Sequence, residues 1–241
     1  MASGWWWDRR GRLPSRSTGV HVRRGIAAVL GDSPSARNPS LARFIVVTMS
    51  VQVHPASPDR WDEVIAVFGR RGEDPSWCWC QLFLRSSAGR SAAPANNRGA
   101  LQVEIRDAVV PPGLIAYADN RPVGWSRVGP RESFLGVRGN RALSRVLADE
   151  DRNVWWVACF VVNGGYRRAG IGRALLEADV AFARDHGASA IEGHPVDVNA
   201  LKAAKVSGSA IYTGTVAMFT AAGFIDVGRT APTRPVMRRE L

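Results

Sequence analysis

The apolar positions along the chain change period several times, and each change marks an element. Phe44–Val53 alternates apolar and polar residues in the manner of a strand. Pro58-Asp59-Arg60-Trp61 then opens a helix, with Trp61, Val64, Ile65 and Phe68 at helical spacing on one face. Gly72–Leu84 is irregular and holds Trp77-Cys78-Trp79-Cys80, and residues 86–97 read as a Ser/Ala/Asn/Gly/Pro linker. A second helix runs from about Arg98 to Val110 and stops at Pro111-Pro112. Leu114–Ala118 and Val123–Val128 read as two short strands joined by the turn Asp119-Asn120-Arg121-Pro122. A polar excursion over 130–152, with a short helix around Arg141–Leu147, leads to the most apolar strand, Val154–Val162. Beyond it come a glycine-rich loop and a helix from about Gly170 to His186, closed by Gly187. Ala190–Gly193 is a further strand, Gly214–Ala222 a further helix ended by Gly223, and Phe224–Arg229 and Pro235–Glu240 two terminal strands. No internal repeat is visible.

Residues 1–48 stand apart from this pattern. They are rich in Arg, Ser, Gly and Pro without sustained periodicity and read as a disordered leader, the Trp5-Trp6-Trp7 triplet being its one oddity. An alternative expectation is that the true start is Met49, where the ordered pattern begins. With 241 residues in all, the remainder is long enough for one α/β domain with a real core.

Charge changes the picture little. The formal net charge is +11, but the leader alone, with eight Arg and two Asp, supplies +6 of it. Only Lys202 and Lys205 are lysines among 32 basic residues, a skew better explained by a GC-rich coding genome than by nucleic-acid binding, which would not exclude Lys. The nucleic-acid reading is therefore weak. Three cysteines, Cys78, Cys80 and Cys159, provide neither a disulfide framework nor a four-ligand zinc pattern, so no metal is expected and a reducing cytoplasm is. No apolar run approaches the roughly 18 residues of a membrane helix, so no membrane partner is expected.

The chemistry sits in Asn163-Gly164-Gly165-Tyr166-Arg167-Arg168-Ala169-Gly170-Ile171-Gly172, between an apolar strand and a helix. The first amides of a helix lack internal partners and carry the positive end of its dipole, which makes an anion site. Gly170 and Gly172 let the backbone approach phosphate oxygens, and Arg167 and Arg168 add charge-assisted donors. A Walker A loop would need Lys-Ser/Thr where Ile171-Gly172 stands. A dinucleotide fingerprint would need a third glycine where Leu175 stands, and an early place in the chain, although Glu192 lies at the right distance for its acidic residue. Arg/Gln-x-x-Gly-x-Gly/Ala after an apolar strand is satisfied by Arg167, Gly170 and Gly172.

On these residues the sequence resembles the GCN5-related N-acetyltransferase (GNAT) superfamily. The element order matches from about Met49 to Leu241, roughly 80% of the chain, and further anchors are Pro122-Val123-Gly124-Trp125 and Ala221-Ala222-Gly223-Phe224. The resemblance implies an α/β fold: a mixed, mostly antiparallel twisted sheet flanked by helices and splayed between the fourth and fifth core strands. It implies acetyl-CoA as co-substrate, with pantetheine along Phe160, Val161 and Val162 and pyrophosphate on Arg167, Arg168, Ala169, Gly170, Ile171, Gly172 and Arg173. It implies direct attack of a small-molecule or peptide amine on the thioester, with a base or water chain for the amine proton and an amide donor for the oxyanion.

Many members carry a Tyr four residues before the late Gly-Phe to protonate the leaving thiolate; here that position is Phe219. Tyr212 and Thr215 are the nearest upstream hydroxyls, and Tyr212 can reach the site only if the chain there is helical or folds back. His194 and Glu192, at the end of the strand beside the splay, are candidate bases, against the plainer reading of a strand-end His bonded to the next loop. Asp197 either orients a ligand or turns the chain. Trp77, Cys78, Trp79, Cys80 and Phe83 form either a packing cluster or a wall of the acceptor pocket, and Cys159 reads as inert packing. Without the expected Tyr, a non-catalytic acyl-CoA sensor is the competing function. Oligomeric state is left open, with a homodimer among the arrangements.

Overall fold

The computed structural model describes residues 49–69, 73–74, 77–81, 83–85, 96–148, 153–203 and 208–241. The Arg-rich leader, the first half of the strand expected over 44–53 and most of the 86–97 linker lie outside these residues. Seven strands form one sheet: β1 (Val51–Pro55), β2 (Gly113–Ala118), β3 (Arg121–Pro130), β4 (Val154–Val162), β5 (Ala190–Gly193), β6 (Ile225–Ala231) and β7 (Arg234–Glu240). Their order is β1-β2-β3-β4-β5-β7-β6, and β4–β5 is the single parallel pair. The α-helices are α1 (Trp61–Phe68), α2 (Asn97–Asp107), α3 (Leu135–Arg138), α4 (Arg141–Ser144), α5 (Ile171–Asp185), α6 (Val198–Ala203) and α7 (Val216–Ala221).

Alternation along the strands divides the core in two. On one side Leu114, Ala116, Trp155 and Val157 pack with Leu175 and Leu176 of α5. On the other, Ile115, Trp125 and Trp156 pack with Val64 and Phe68 of α1 and Leu101 of α2. Each fully buried aliphatic side chain contributes about 1.5–3 kcal/mol, so a sheet covered on both faces is what these apolar strands require. Trp155 and Trp156, consecutive in β4, fall on opposite sides as their alternation demands.

Local chemistry accounts for most element ends. Asn96 caps α2 by accepting from Gly99 N at 2.7 Å, and the helix stops at Asp107, because Ala108 is already extended ahead of the two prolines. The β2–β3 turn is tighter than the sequence suggests. Asp119 and Asn120 alone form it, at φ 48° and 64°, the left-handed pair that matches strand twist. Pro122 consequently lies inside β3, where a register shift absorbs its missing donor: Tyr117 faces Pro122 and Ala116 faces Gly124, leaving Val123 as the extra residue. Residues α3 and α6 have no counterpart in the sequence expectation; both are short, and α6 is capped by Asp197, which accepts from Ala200 N at 3.1 Å.

A polar pair sits inside this core. Asp179 of α5 is fully buried, and Ser126 Oγ of β3 donates to its Oδ1 at 2.6 Å. Burial pushes the carboxyl up to about 8, the Ser126 bond opposing this. A group whose folded pKa is raised stabilises fully below its unfolded value, about 3.9, and loses that contribution as pH rises through the folded one. Stability should therefore fall between pH 4 and 8 by on the order of 1 kcal/mol per pH unit from this residue alone. Asp179→Asn keeps the shape and cannot ionise. Thermal melts across that range should show the variant gaining steadily on the wild type; a constant difference would refute the assignment.

Candidate functional site

The loop after β4 leads into a helix start whose amides are free. Gly164–Tyr166 form a 3-10 turn, Arg167 is extended, and Arg168 takes a left-handed φ of 62°. Gly170 follows at φ 88°, a conformation that favours glycine, and α5 starts at Ile171. The first backbone bond of the helix is Ala174 N to Gly170 O at 3.0 Å, so the amides of Ile171, Gly172 and Arg173 have no acceptor within it. Among the described residues no side chain caps this end. Arg167, Arg168 and Arg173 are exposed around it, Arg173 pairing with Glu177 at 2.7 Å. Gly124 explains how the helix end comes so close to the sheet. A Cβ there would lie 2.7 Å from Ile171 Cγ2, and Gly124 pairs with Val162, the last residue of β4.

The neighbouring strand supplies an opening. β4 pairs with β3 along nearly its whole length, but with β5 only from Val154 to Val157. Beyond Val157 this ladder ends, and among the described residues the backbone of Phe160–Val162 has no strand partner on that side. Where the ladder ends β4 also carries a bulge: Arg127 faces Cys159 and Val128 faces Val157, leaving Ala158 unopposed. The bulge puts Ala158 and Cys159 on the same side of the sheet, and Phe160 on the other.

Three candidate side chains lie around this opening. His194, just past β5, is hydrogen-bonded through Nε2 to Thr230 Oγ1 at 2.7 Å, with Arg234 Nη2 3.4 Å from Nδ1. Burial, with the Arg234 charge, lowers its pKa to about 4, which keeps the ring neutral. Glu192 is buried, and its two oxygens accept from Arg131 Nη1 at 2.9 Å and Arg238 Nη1 at 2.8 Å. Tyr212 lies in the 3-10 segment Gly208–Thr213, which folds back on β4, and it packs half-buried against the cluster containing Cys159 and Val161. Burial raises its pKa, partly offset by Arg234. A concavity of 590 Å³ lies elsewhere, between the second half of α5 and Ala221–Gly223.

The family model described as the acetyltransferase (GNAT) family matches residues 79–206, more than half of the chain. The protein belongs to this family. Its members carry out acetyl-CoA-dependent acyl transfer, and the seven-stranded sheet with one parallel pair is the fold expected of them. No match is found among curated proteins. Among solved structures, the GNAT domain of S. lividans PAT is 17% identical with a TM-score of 0.48, over 80% of this chain and 91% of that one. A ribosomal-protein-alanine N-acetyltransferase from Brucella melitensis is 18% identical, TM-score 0.42, over 78% and 99%. The PaiA N-acetyltransferase from Thermoplasma acidophilum, solved with coenzyme A, is 15% identical, TM-score 0.43, over 80% and 100%.

Within this GNAT domain, Phe219 is a core residue. It is fully buried, its ring 4.9 Å from Phe224 and 6.4 Å from Phe160, and a Cβ on Gly193 would come within 2.5 Å of it. The placements of Glu192 and His194 speak against the expectation that either is the base. One is saturated by two guanidiniums; the other is a strand-end histidine tied to Thr230 and the Arg234 carbonyl. Asp197 caps α6 and pairs with Arg229 at 3.1 Å, which is the turn role. Trp79 is fully buried, stacked 4.4 Å from Phe68, so the tryptophans of 77–80 pack against the core. Sequence reading missed that Cys78, Cys80 and Cys159 converge, their sulfurs all within 4.8 Å. Nothing in the linear pattern signals it, because Cys159 belongs to an otherwise ordinary apolar strand.

Removing one member of a buried ion pair leaves its partners uncompensated, at about 3–5 kcal/mol. Glu192→Gln should therefore destabilise the protein by about 3 kcal/mol in urea melts, while the folded variant keeps a near wild-type kcat. Unchanged stability with a hundredfold lower kcat would restore the base role.

Proposed function

We propose that this protein is an N-acetyltransferase that moves an acetyl group from acetyl-CoA to a primary amine of a small molecule or peptide by direct attack. The observation that carries the reading is the uncapped amino end of α5, held open by Gly170 at φ 88°, directly beyond the unpaired half of β4. The free amides of Ile171, Gly172 and Arg173 would take the pyrophosphate, with Arg167 and Arg168 as flanking cations. The free edge of Phe160–Val162 would hold the pantetheine arm by backbone hydrogen bonds. Acetyl-CoA supplies the activated thioester carbonyl that a neutral amine attacks.

The chain's own residues then have limited work. The bulge at Ala158 offers backbone not engaged in the β3 ladder, a candidate donor to the oxyanion. Tyr212, held protonated beside β4, takes the place of the absent α7 phenol as donor to the leaving thiolate. The amine proton passes to water, since His194 is a weak base in its setting. The burial of Phe219 favours a second reading, an acyl-CoA sensor without turnover.

A thermal-shift and thiol-release screen over amines, amino acids, antibiotics and peptides tests both. Acetyl-CoA should raise the melting temperature of the wild type, and Arg167→Glu and Gly170→Glu should abolish most of that shift; an equal shift in both variants would refute the phosphate loop. Release of coenzyme A with some amine supports the enzyme, and stabilisation without release across the panel supports the sensor. With an accepted amine, Tyr212→Phe should lower kcat by roughly 10²-fold with little change in the KM for acetyl-CoA. An unchanged kcat removes Tyr212 from the reaction.

A further inference from the structure

All three cysteines of the chain meet at one place, although Cys159 is 79 residues from Cys80. Cys80 Sγ and Cys159 Sγ lie 2.8 Å apart, both buried, and the half-buried Cys78 completes a group within 4.8 Å. Independent contacts treat these sulfurs as acceptors. Trp125 Nε1 donates to Cys80 Sγ at 3.0 Å, and the Cys80 amide to Cys78 Sγ at 3.4 Å. Trp79 and Cys80 hold left-handed backbone at φ 31° and 53°, a conformation that side chains rarely adopt and that here accompanies the convergence of two sulfurs.

We propose that Cys78, Cys80 and Cys159 form a thiol–disulfide site that is modified by a peroxide, with Cys78 the attacked sulfur and Cys159 the resolving one. The three are unequal in the way this chemistry needs. Hydrogen bonds from Cys159 and Cys80 hold the Cys78 thiol well below the usual thiol range, whereas Cys159, hydrogen-bonded to Cys78 and Cys80, is pushed up and keeps its proton. Cys78 is also the least buried of the three, so it is the one a small oxidant meets. Its thiolate attacks one peroxide oxygen; the O–O bond breaks, hydroxide leaves, and the sulfur becomes a sulfenic acid. Cys159 then gives up its proton and attacks that sulfur, the S–O bond breaks, and water leaves. Overall, two thiols and hydrogen peroxide become one disulfide and two waters.

A shared metal ion fits less well. Sulfurs on one tetrahedral zinc, at about 2.3 Å from it, lie about 3.8 Å apart, well beyond the Cys80–Cys159 separation. No His, Asp or Glu among the described residues joins the group as a fourth ligand. Burial pushes the Cys80 thiol well up, the Arg127 charge opposing this only in part, so this sulfur keeps the proton that a metal ligand must lose.

The test uses the full chain, reduced, freed of reductant and treated with a small excess of hydrogen peroxide. Remaining thiols are alkylated in denaturant and counted by mass. Two of the three thiols should disappear within one chain, and digestion should yield a cross-link from Cys159 to the peptide carrying Cys78 and Cys80. In Cys159→Ser, a dimedone adduct should accumulate on Cys78 in place of the cross-link. In Cys78→Ser, the milder substitution because that residue is half-buried, thiol loss should slow roughly tenfold or more. Three intact thiols after peroxide, cross-links only between chains, or a stoichiometric thiol-bound zinc in the purified protein would each overturn the proposal.

Discussion

The architecture of the site depends on one asymmetry in β4. The strand is paired along one edge nearly from end to end, but along the other only from Val154 to Val157. An unpaired stretch of buried strand is costly unless something else takes its polar groups. On that side the described residues after β5 bridge to one another instead, Val196 N donating to Gly214 O and Val216 N to Val196 O. The backbone of Phe160–Val162 is thereby left open on that side.

Two close approaches keep that opening aligned with the anion cradle. Gly124 lets Ile171 settle on β3 opposite the end of β4, and Gly172 lies close enough to α7 that a Cβ would meet Met218 Sδ at 3.1 Å. Leu175 and Leu176, both fully buried, then fix the helix against the sheet. The amides at the helix start are thus aimed by core packing rather than by loop interactions. An uncapped helix end beside a free strand edge is the arrangement on which the proposed acetyl-CoA site rests.

The polar groups nearest the opening serve the scaffold. Glu192 links Arg131, which follows β3, to Arg238 on β7, and so ties the two halves of the sheet across the β5 strand. His194 and Arg234 are held with Thr230 and Thr213.

Much of this was legible in the sequence. The order of strands and helices followed from periodicity and from Gly, Pro and Asn punctuation. The uncapped start of α5 followed from glycine spacing after an apolar strand, since helix ends and left-handed glycines are local properties. Where boundaries moved, as at the Asp119-Asn120 turn or the capped start of α7 at Thr215, the decisive bonds are short-range and shifted the ends by a few residues. Side-chain roles were harder to read. Glu192 looked like a base at a strand end because its guanidinium partners come from β7 and the turn after β3, far away in sequence. Cys159 looked inert because only the Ala158 bulge turns it toward the side where Cys78 and Cys80 lie. The sequence by itself determined the elements, their order and the glycine-rich loop at the start of α5, all set by interactions within a few residues. The tertiary structure alone decided which polar side chains are mutually satisfied and which remain free, because that depends on pairing between strands that meet only in the folded sheet.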